Sequence, residues 1–386
     1  MNERRSHLIL MGLIVAALIG VAVLALPGSP LQRTPTLGLD LQGGLEVVKK
    51  AVPEKGQTVD EAGLDDAVTI INDRINGTGV SEPEIRKQGS DQIVIELPGV
   101  DDQQRAADLI GQTAKLELYD LQGDLVPGVS LDLNSNPVPH TSVFDLLSTQ
   151  QTEAKKGEPS AFYLVRTPNE KKKIAPKLLV GPTQTREALL SSKYVAKNGK
   201  KGEVPKGTTV LAVPEHMVVV TCNQTERYCP GVRNAPDRTY YYLFKYDPTS
   251  KEHPIPEMTG SDLKRTGTRQ DFDTQTNQPV VLMQFTGGGA KKFEDITQTL
   301  VERGRNLANQ QGLTGGFGND DANQQFAIVL DREMKSAPSV DFDDNPNGIP
   351  GKYGAQITGI SMSDARDLAL VLRTGTLPWE FRIVSE

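Results

Sequence analysis

Residues that commonly carry catalysis or bind metals are scarce in this sequence. It has two cysteines and four histidines, and aromatic residues make up only 5% of it. The histidines (His7, His140, His216 and His253) have no metal-ligand spacing to one another or to a cysteine. Neither the G-x-S-x-G turn of serine hydrolases nor a Walker phosphate loop occurs. The sequence therefore predicts no enzyme activity, no metal site and no cofactor.

An excess of basic residues is also missing. The net charge is −7, and lysine and arginine are spread along the chain. A nucleic-acid-binding protein needs a concentrated basic face, so no nucleic-acid partner is expected. The 36 glycines and 25 prolines indicate many turns rather than a helical bundle. At 386 residues the chain is long enough for two or three domains.

The sequence contains one long apolar run, at residues 8–26, which carries no charged residue. A run of that length predicts a helix that crosses a membrane. Arg4 and Arg5 precede it, which predicts a cytoplasmic tail at 1–7 and an extracytoplasmic location for the bulk of the chain. A cleaved signal peptide is the alternative, but the small-residue cleavage pattern at 23–25 is poor and Pro27 follows closely.

The two cysteines, Cys222 and Cys229, lie close together in TCNQTERYCPG. On the exported side of a membrane, such a pair favours a disulfide. A zinc site is disfavoured because the spacing is not that of zinc ligands and the stretch contains no histidine.

Hydrophobic periodicity predicts the same order of elements near both ends of the chain. In the first flank we expect strands at 45–51, 85–88, 92–97 and 115–121 and helices at 60–76 and 101–112. In the second flank we expect strands at 280–285, 326–330, 353–358 and 379–384 and helices at 290–307 and 363–373. The order β-α-β-β-α-β is typical of a ferredoxin-like unit.

The predicted fold class is therefore α+β, with two related halves of one base domain at 37–121 and 280–386. Residues 122–279, the insertion, are rich in Pro, Gly, Asn and Lys and predict a mixed or β-rich head domain. Exposed basic loops are expected there at 171–173 and 197–206. The Pro- and Gly-containing joins at 126–129 and 254–260 are candidate hinges.

Three stretches have both a structural and a functional interpretation. The Gly-rich FTGGGAKKF could hold phosphate at a helix start, but a plain strand-to-helix turn is favoured. The acidic clusters at 101–102 and 341–344 could bind calcium or act as paired catalytic carboxylates, but a helix start and a turn account for them. The third stretch, RTYYYLFKY, places Tyr240, Tyr242, Phe244 and Tyr246 on one strand face. Core packing is favoured for this face, and the alternative is a surface that handles extended polypeptide.

Five ordered motifs at the two ends of the chain resemble the SecD family of the bacterial Sec export machinery. They are LGLDLQGGLEV, LPGVDDQQRAADLIGQTAKLEL, LKRTGTRQDFDTQTNQPVVLMQFTGGGAKKFEDIT, FAIVLDREMKSAPSV and QITGISMSDARDLALVLRTGTLP. Asp40, Gly43 and Gly44 resemble the family's junction between membrane anchor and folded domain. The middle of the chain matches only loosely, and its cysteine pair is similar to actinobacterial members. Arg332 stands where the family often has glycine, so a different turn is expected there.

The resemblance implies a non-enzymatic role in protein export. It implies SecF, the SecYEG translocon, unfolded exported polypeptide and the membrane as partners, and use of the proton gradient. Family members carry further membrane helices with proton-coupling acidic residues, which this sequence does not contain, so we expect a truncated product, a fragment or half of a split protein. The alternative is an extracytoplasmic adaptor, or a relative of resistance-nodulation-division transporters, that binds a partner protein.

Overall fold

A computed structural model describes residues 3–25, 44–53, 57–78, 83–98, 100, 102–224, 229–232, 238–312 and 322–385. The helices are α1 (Glu3–Ala25), α2 (Glu61–Thr78), α3 (Gln103–Gly111), α4 (Leu121–Asp124), α5 (Val143–Leu147), α6 (Arg186–Leu190), α7 (Lys193–Asn198), α8 (Gly287–Gln311) and α9 (Met362–Thr374). Among these described residues, no helix meets the length and hydropathy required of a membrane span. The span predicted at 8–26 therefore stays a prediction.

Strands account for most of the remaining regular structure, and the protein is a mixed α+β fold with several sheets. In chain order they are β1 (Gly44–Val52), β2 (Glu84–Gln88), β3 (Gln92–Pro98), β4 (Leu116–Asp120), β5 (Ala161–Arg166), β6 (Lys177–Thr183), β7 (Thr208–Val213), β8 (Met217–Asn223), β9 (Thr239–Lys245), β10 (Met258–Thr259), β11 (Arg269–Phe272), β12 (Pro279–Met283), β13 (Gln324–Leu330), β14 (Glu333–Ser336), β15 (Ser339–Val340), β16 (Ala355–Ile357) and β17 (Glu380–Ser385). The predicted flank elements are all present, with bounds that differ by a few residues.

The first sheet joins the two ends of the chain. Its order is β17-β1-β3-β2 with every pair antiparallel, and α2 and α3 bury their apolar faces against it. Trp379 and Phe381 of the second flank lie in the same hydrophobic core as Ile71 of α2. The predicted association of the two flanks is confirmed by this shared sheet.

The closing strands of the two flanks are exchanged relative to the sequence prediction. We expected β4 to complete the first unit, but it pairs with β13 of the second flank, with Leu118 opposite Ile328. Burial explains the exchange, because every residue of β4 is buried and such a strand suits the interior of a sheet. Ile383 and Val384 of β17 remain 43% and 50% exposed, which suits a sheet edge. The ferredoxin-like description of the base stays a prediction.

A second sheet runs from the flanks into the insertion. Its order is β10-β4-β13-β14-β8-β9, with β15 also paired to β13. Parallel pairing of Glu333 in β14 with Thr221 in β8 makes the connection between flank and insertion. A third sheet, β11-β12-β16, packs against α9, while α8 packs against β13.

The rest of the insertion folds around a sheet of its own, with the order β6-β5-β7. Short helices cover it, and Leu164, Leu189 and Val195 form a small core between sheet and helices. Two strands within the predicted insertion, β10 and β11, pair with β4 and β12 of the flanks. The predicted domain boundaries stay a prediction.

Candidate functional site

Arg74 of α2 is fully buried and forms hydrogen bonds to both flanks. Its guanidinium donates to the carbonyl oxygens of Leu109 at 3.2 Å, Gly375 at 2.9 Å and Gln112, and to Thr374 Oγ1 at 3.3 Å. These acceptors lie at the C-terminal ends of α3 and α9, where helix carbonyls lack intrahelical partners and favour positive charge. Burial lowers the pKa of Arg74 to about 10.

Close packing adds to this joint between the flanks. A Cβ atom on Gly63 of α2 would lie 2.4 Å from the Trp379 ring, so only glycine allows the indole to approach this helix. The single tryptophan of the chain is thereby placed against α2 although it belongs to the second flank. The two flanks are therefore joined both by the hydrogen bonds of the charged Arg74 side chain and by the close packing of Trp379 on Gly63.

A different joint connects the flanks to the insertion. The chain leaves the second sheet at Asp120, the last residue of β4, whose carboxylate accepts a hydrogen bond from Gly123 N at 2.9 Å. Arg303 of α8 pairs with the same carboxylate through both terminal nitrogens, one of them at 2.7 Å from Oδ1. Lys245, at the end of β9, donates to the Gly123 carbonyl at 2.9 Å. We call Asp120, Asp124, Lys245, Glu257 and Arg303 the junction.

Two carboxyl groups of the junction, those of Asp124 and Glu257, lie next to each other and have raised pKa values. The backbone N–H of Asp120 donates to Asp124 Oδ2 at 3.0 Å and to Glu257 Oε2 at 3.2 Å, and the two side chains hydrogen-bond to each other. Asp124 is buried and Glu257 is half-buried. Burial, and then the charge of the neighbouring carboxyl group, raise the pKa of Glu257. Burial also raises the pKa of Asp124.

The hairpin turn between β13 and β14 supplies the other contact with the insertion. Asp331 and Arg332 have φ values of 50° and 66°, and Ala114 beside them has 60°. The Asp331 carboxylate accepts from the backbone nitrogens of Ala114 and Lys115 at 3.0 and 2.9 Å, while the Arg332 carbonyl accepts from Thr221 N at 2.9 Å. Burial raises the pKa of Asp331.

The turn at Arg332 corrects the sequence prediction. We expected Arg332 to avoid a positive φ, but the two-residue hairpin places it there. The reason is that the turn is fixed by the hydrogen bonds of the Asp331 carboxylate and by the bond from Thr221 N to the Arg332 carbonyl. These bonds offset a backbone cost of about 1–2 kcal/mol.

The strand proposed to handle polypeptide is buried instead. Tyr240 is 4% exposed, Tyr242 and Phe244 are fully buried, and Tyr246 is half-buried. Their face packs against β4 and β13, where the Phe244 ring lies 5.0 Å from that of Tyr119. Core packing is therefore what the structure shows, and these residues present no free surface for substrate.

The remaining predicted sites are structural or lie outside the described residues. Cys222 and Cys229 form a buried disulfide with Cα atoms 5.9 Å apart, within the range such a bond requires. Asp40 and Gly43 lie outside the described residues, and Gly44 is the first residue of β1.

The Gly-rich and acidic stretches form turns. Thr286 caps α8 through Gly289 N, and the Asp341 carboxylate accepts from the backbone nitrogens of Asp343 and Asp344. Asp102 likewise caps α3 through Arg105 N. Within the described ranges, no group of His, Cys, Asp or Glu side chains is arranged to hold a metal ion.

The first candidate hinge, at 126–129, is hydrogen-bonded to a strand of the insertion and is not a free linker. Val126 N donates to the Leu243 carbonyl at 2.9 Å, and Leu125 bridges to Phe244. The second candidate hinge, at 254–260, contains Glu257 of the junction. Both passages of the chain between flank and insertion therefore meet at the junction.

Comparisons with known proteins match the two flanks separately. Residues 64–123 match the family described as the protein translocase subunit SecDF P1 domain, N-terminal. Residues 247–379 match the SecDF P1 head subdomain. The description "head" therefore falls largely on the segment that the sequence predicted as the second half of the base.

Curated relatives of this chain are SecD and SecDF proteins. SecD of Streptomyces coelicolor is 27% identical over 90% of this chain and 60% of its own length, and SecDF of Thermus thermophilus is 28% identical over 95% of this chain and 34% of its own. SecD of Acidaminococcus fermentans is 41% identical over 30% of this chain and 27% of its own. The chain thus spans between about a quarter and three fifths of these relatives. A crystal structure of SecDF in a super-membrane-facing form covers 99% of this chain and 35% of that one, at 25% identity and a TM-score of 0.45.

Proposed function

The chain belongs to the SecD family of protein translocase subunits, and we propose that it serves the Sec pathway as a non-catalytic part that handles exported polypeptide outside the cytoplasm. The observation that carries this proposal is the family match on both flanks, at 64–123 and 247–379.

The two joints suggest different mechanical roles for the flanks and the insertion. The flanks, interlocked through Arg74 and the exchanged strands, form a ferredoxin-like base of fixed shape. The insertion is connected through the junction and the turn at Arg332, so it is the part that tilts. Tilting of the insertion holds and releases an unfolded chain as it leaves the SecYEG translocon.

Helix α1 supplies the membrane anchor in this proposal. The run at 8–26 lacks charged residues, and Leu10, Ile14 and Leu18 are more than half exposed. Because a proton path through lipid needs ionisable groups within the membrane, and this run has none, coupling to the proton gradient requires SecF and further membrane helices.

Complementation in a strain depleted of SecD tests the proposal. One plasmid encodes the 386-residue chain, and a second joins it to the remaining membrane helices of the Streptomyces relative. We expect only the second to restore export of a secreted reporter, with both proteins present at equal levels. Full rescue by the chain alone would overturn the need for further helices. Failure of both, with folded protein in the membrane, would contradict the role in export.

A further inference from the structure

The basic loops of the insertion converge at one end of the β6-β5-β7 sheet. Arg166, the last residue of β5, pairs with Lys177 of β6 and Thr208 of β7. The loop at 169–174 connects β5 to β6, and the loop at 199–207 leads into β7, where Thr167 N donates to the Gly207 carbonyl at 3.0 Å. Lysines that are separated in the sequence thus lie together at this end of the sheet. We call residues 166–177 and 193–206 the basic tip.

The charge of this region is opposite to that of the rest of the molecule. Residues 166–206 contain eleven lysines and arginines and three glutamates, in a chain whose net charge is −7. All the basic side chains of the basic tip are exposed: Arg166, Lys171, Lys172, Lys173, Lys177, Lys193, Lys197, Lys200, Lys201 and Lys206. Nothing in the part of the chain that the structure describes forms an ion pair with them. The positive charge is therefore available to a partner.

Two large apolar side chains are exposed among these lysines. Ile174, in the loop between β5 and β6, is 37% exposed, and Val204, in the loop before β7, is 38% exposed. Ile174 directly follows the lysines at 171–173, and Val204 lies between the lysines at 200–201 and 206. Apolar side chains surrounded by lysine are the composition of surfaces that lie at the interface of an anionic bilayer.

We propose that the basic tip binds the surface of a bilayer containing anionic phospholipid, and this goes beyond the proposed function in export. Lysines within a Debye length of the headgroups supply the attraction, and Ile174 and Val204 enter the interface. A single-stranded nucleic acid fits less well, because stacking needs exposed aromatic rings and Tyr194, the aromatic residue of the basic tip, is half-buried. An acidic polypeptide would use the lysines but would not account for the two exposed apolar side chains.

The test measures vesicle binding by the full chain held in neutral phosphatidylcholine nanodiscs, so that α1 is the same in every sample. An environment-sensitive fluorophore attached to Val204→Cys reports the polarity around the basic tip. The same fluorophore attached to Asn306→Cys, on the exposed face of α8, reports the polarity at a remote site. Vesicles of phosphatidylcholine with 30% phosphatidylglycerol are compared with vesicles of phosphatidylcholine alone.

We expect a blue shift and quenching by spin-labelled lipid at residue 204 but not at 306, only with anionic vesicles, and loss of both signals in high salt. Replacing Lys171, Lys172 and Lys173 together by Gln should weaken binding about 100-fold, because each lysine near the surface contributes about fivefold to the affinity. The matched triple change of Lys264, Lys291 and Lys352 to Gln, which removes equal charge elsewhere, leaves binding within about twofold.

Equal binding to both kinds of vesicle, or an equal loss in the two triple variants, would overturn the proposal. So would binding of polyglutamate or of single-stranded DNA at residue 204 without any response to anionic vesicles. None of these outcomes bears on rescue of export, so the two proposals fail independently.

Discussion

The joint between the two flanks and the joint between flanks and insertion are both polar and largely buried, but they are built from opposite chemistry. The first uses the guanidinium of Arg74, which stays charged across the physiological range, against fixed helix carbonyls. The second uses Asp124 and Glu257, two neighbouring carboxyl groups whose pKa values are raised by burial. One joint is therefore insensitive to pH and the other responds to it.

Replacing Arg74 should produce the largest effect. Arg74→Ala leaves four buried or partly buried acceptors without their donor, and we expect the free energy of unfolding to fall by about 3–4 kcal/mol. Urea unfolding followed by circular dichroism measures this. Arg105→Ala, which removes a half-exposed pair with Asp367 between the same flanks, is the matched control and should cost less than about 1 kcal/mol. Equal losses would show that Arg74 has no special role.

Gly63→Ala tests the packing half of the same joint. In an ordinary helix this change stabilises by about 0.5–1 kcal/mol, but here the new methyl group meets the Trp379 ring. We expect a loss of about 2 kcal/mol and a red shift of tryptophan fluorescence. Gly288→Ala in α8, where nothing lies within 4 Å, should instead be neutral or stabilising. Stabilisation at position 63 would contradict the packing.

The pH dependence of stability distinguishes the second joint. The pKa values of Asp124 and Glu257 are higher in the folded chain than in the unfolded chain, so the folded state holds more protons between pH 5 and 8. The free energy of unfolding should fall as the pH rises through that window. Glu257→Gln keeps the hydrogen-bonding shape without the charge, and should flatten this dependence and raise stability at pH 8 by about 1 kcal/mol. Exposed Glu302→Gln is the control, and a slope unchanged by Glu257→Gln would refute the assignment.

Arg332→Gly should have the smallest effect. Glycine relieves the positive φ by about 1–2 kcal/mol, while the hydrogen bond of the Arg332 side chain with Tyr163 is lost at about 1 kcal/mol. We expect a net gain of about 0.5 kcal/mol in thermal unfolding. Arg332→Ala, which loses the same bond without relieving the backbone, should destabilise by about 1 kcal/mol. A Gly variant no more stable than the Ala variant would show that the turn stores no strain.

Local elements were predictable from the sequence, whereas their partners were not. The apolar stripe that includes Ile71 and Ile75 predicted α2, because helix periodicity is a property of one segment. Pairing of β4 with β13 and of β17 with β1 was missed, since alternation predicts which face of a strand is buried and not which strand lies beside it.

The functional residues divide in the same way. Arg74 carried a detectable signal, because it falls on the buried face of α2 between Ile71 and Ile75. Asp124 and Glu257 carried none, since 133 positions separate them and only the fold brings them together. The aromatic strand was ambiguous because a buried strand and a binding strand share the same alternation.

The exchange of closing strands has a consequence for the order in which the first sheet can be completed as the chain is synthesised. β1 lies at 44–52, yet its partner β17 lies at 380–385, so β1 is synthesised long before the strand that pairs with it. Until then β1 offers an unpaired edge, the kind of template that attracts foreign strands. The first sheet therefore completes its assembly only after β17 has been synthesised, and this six-residue strand covers the edge of β1.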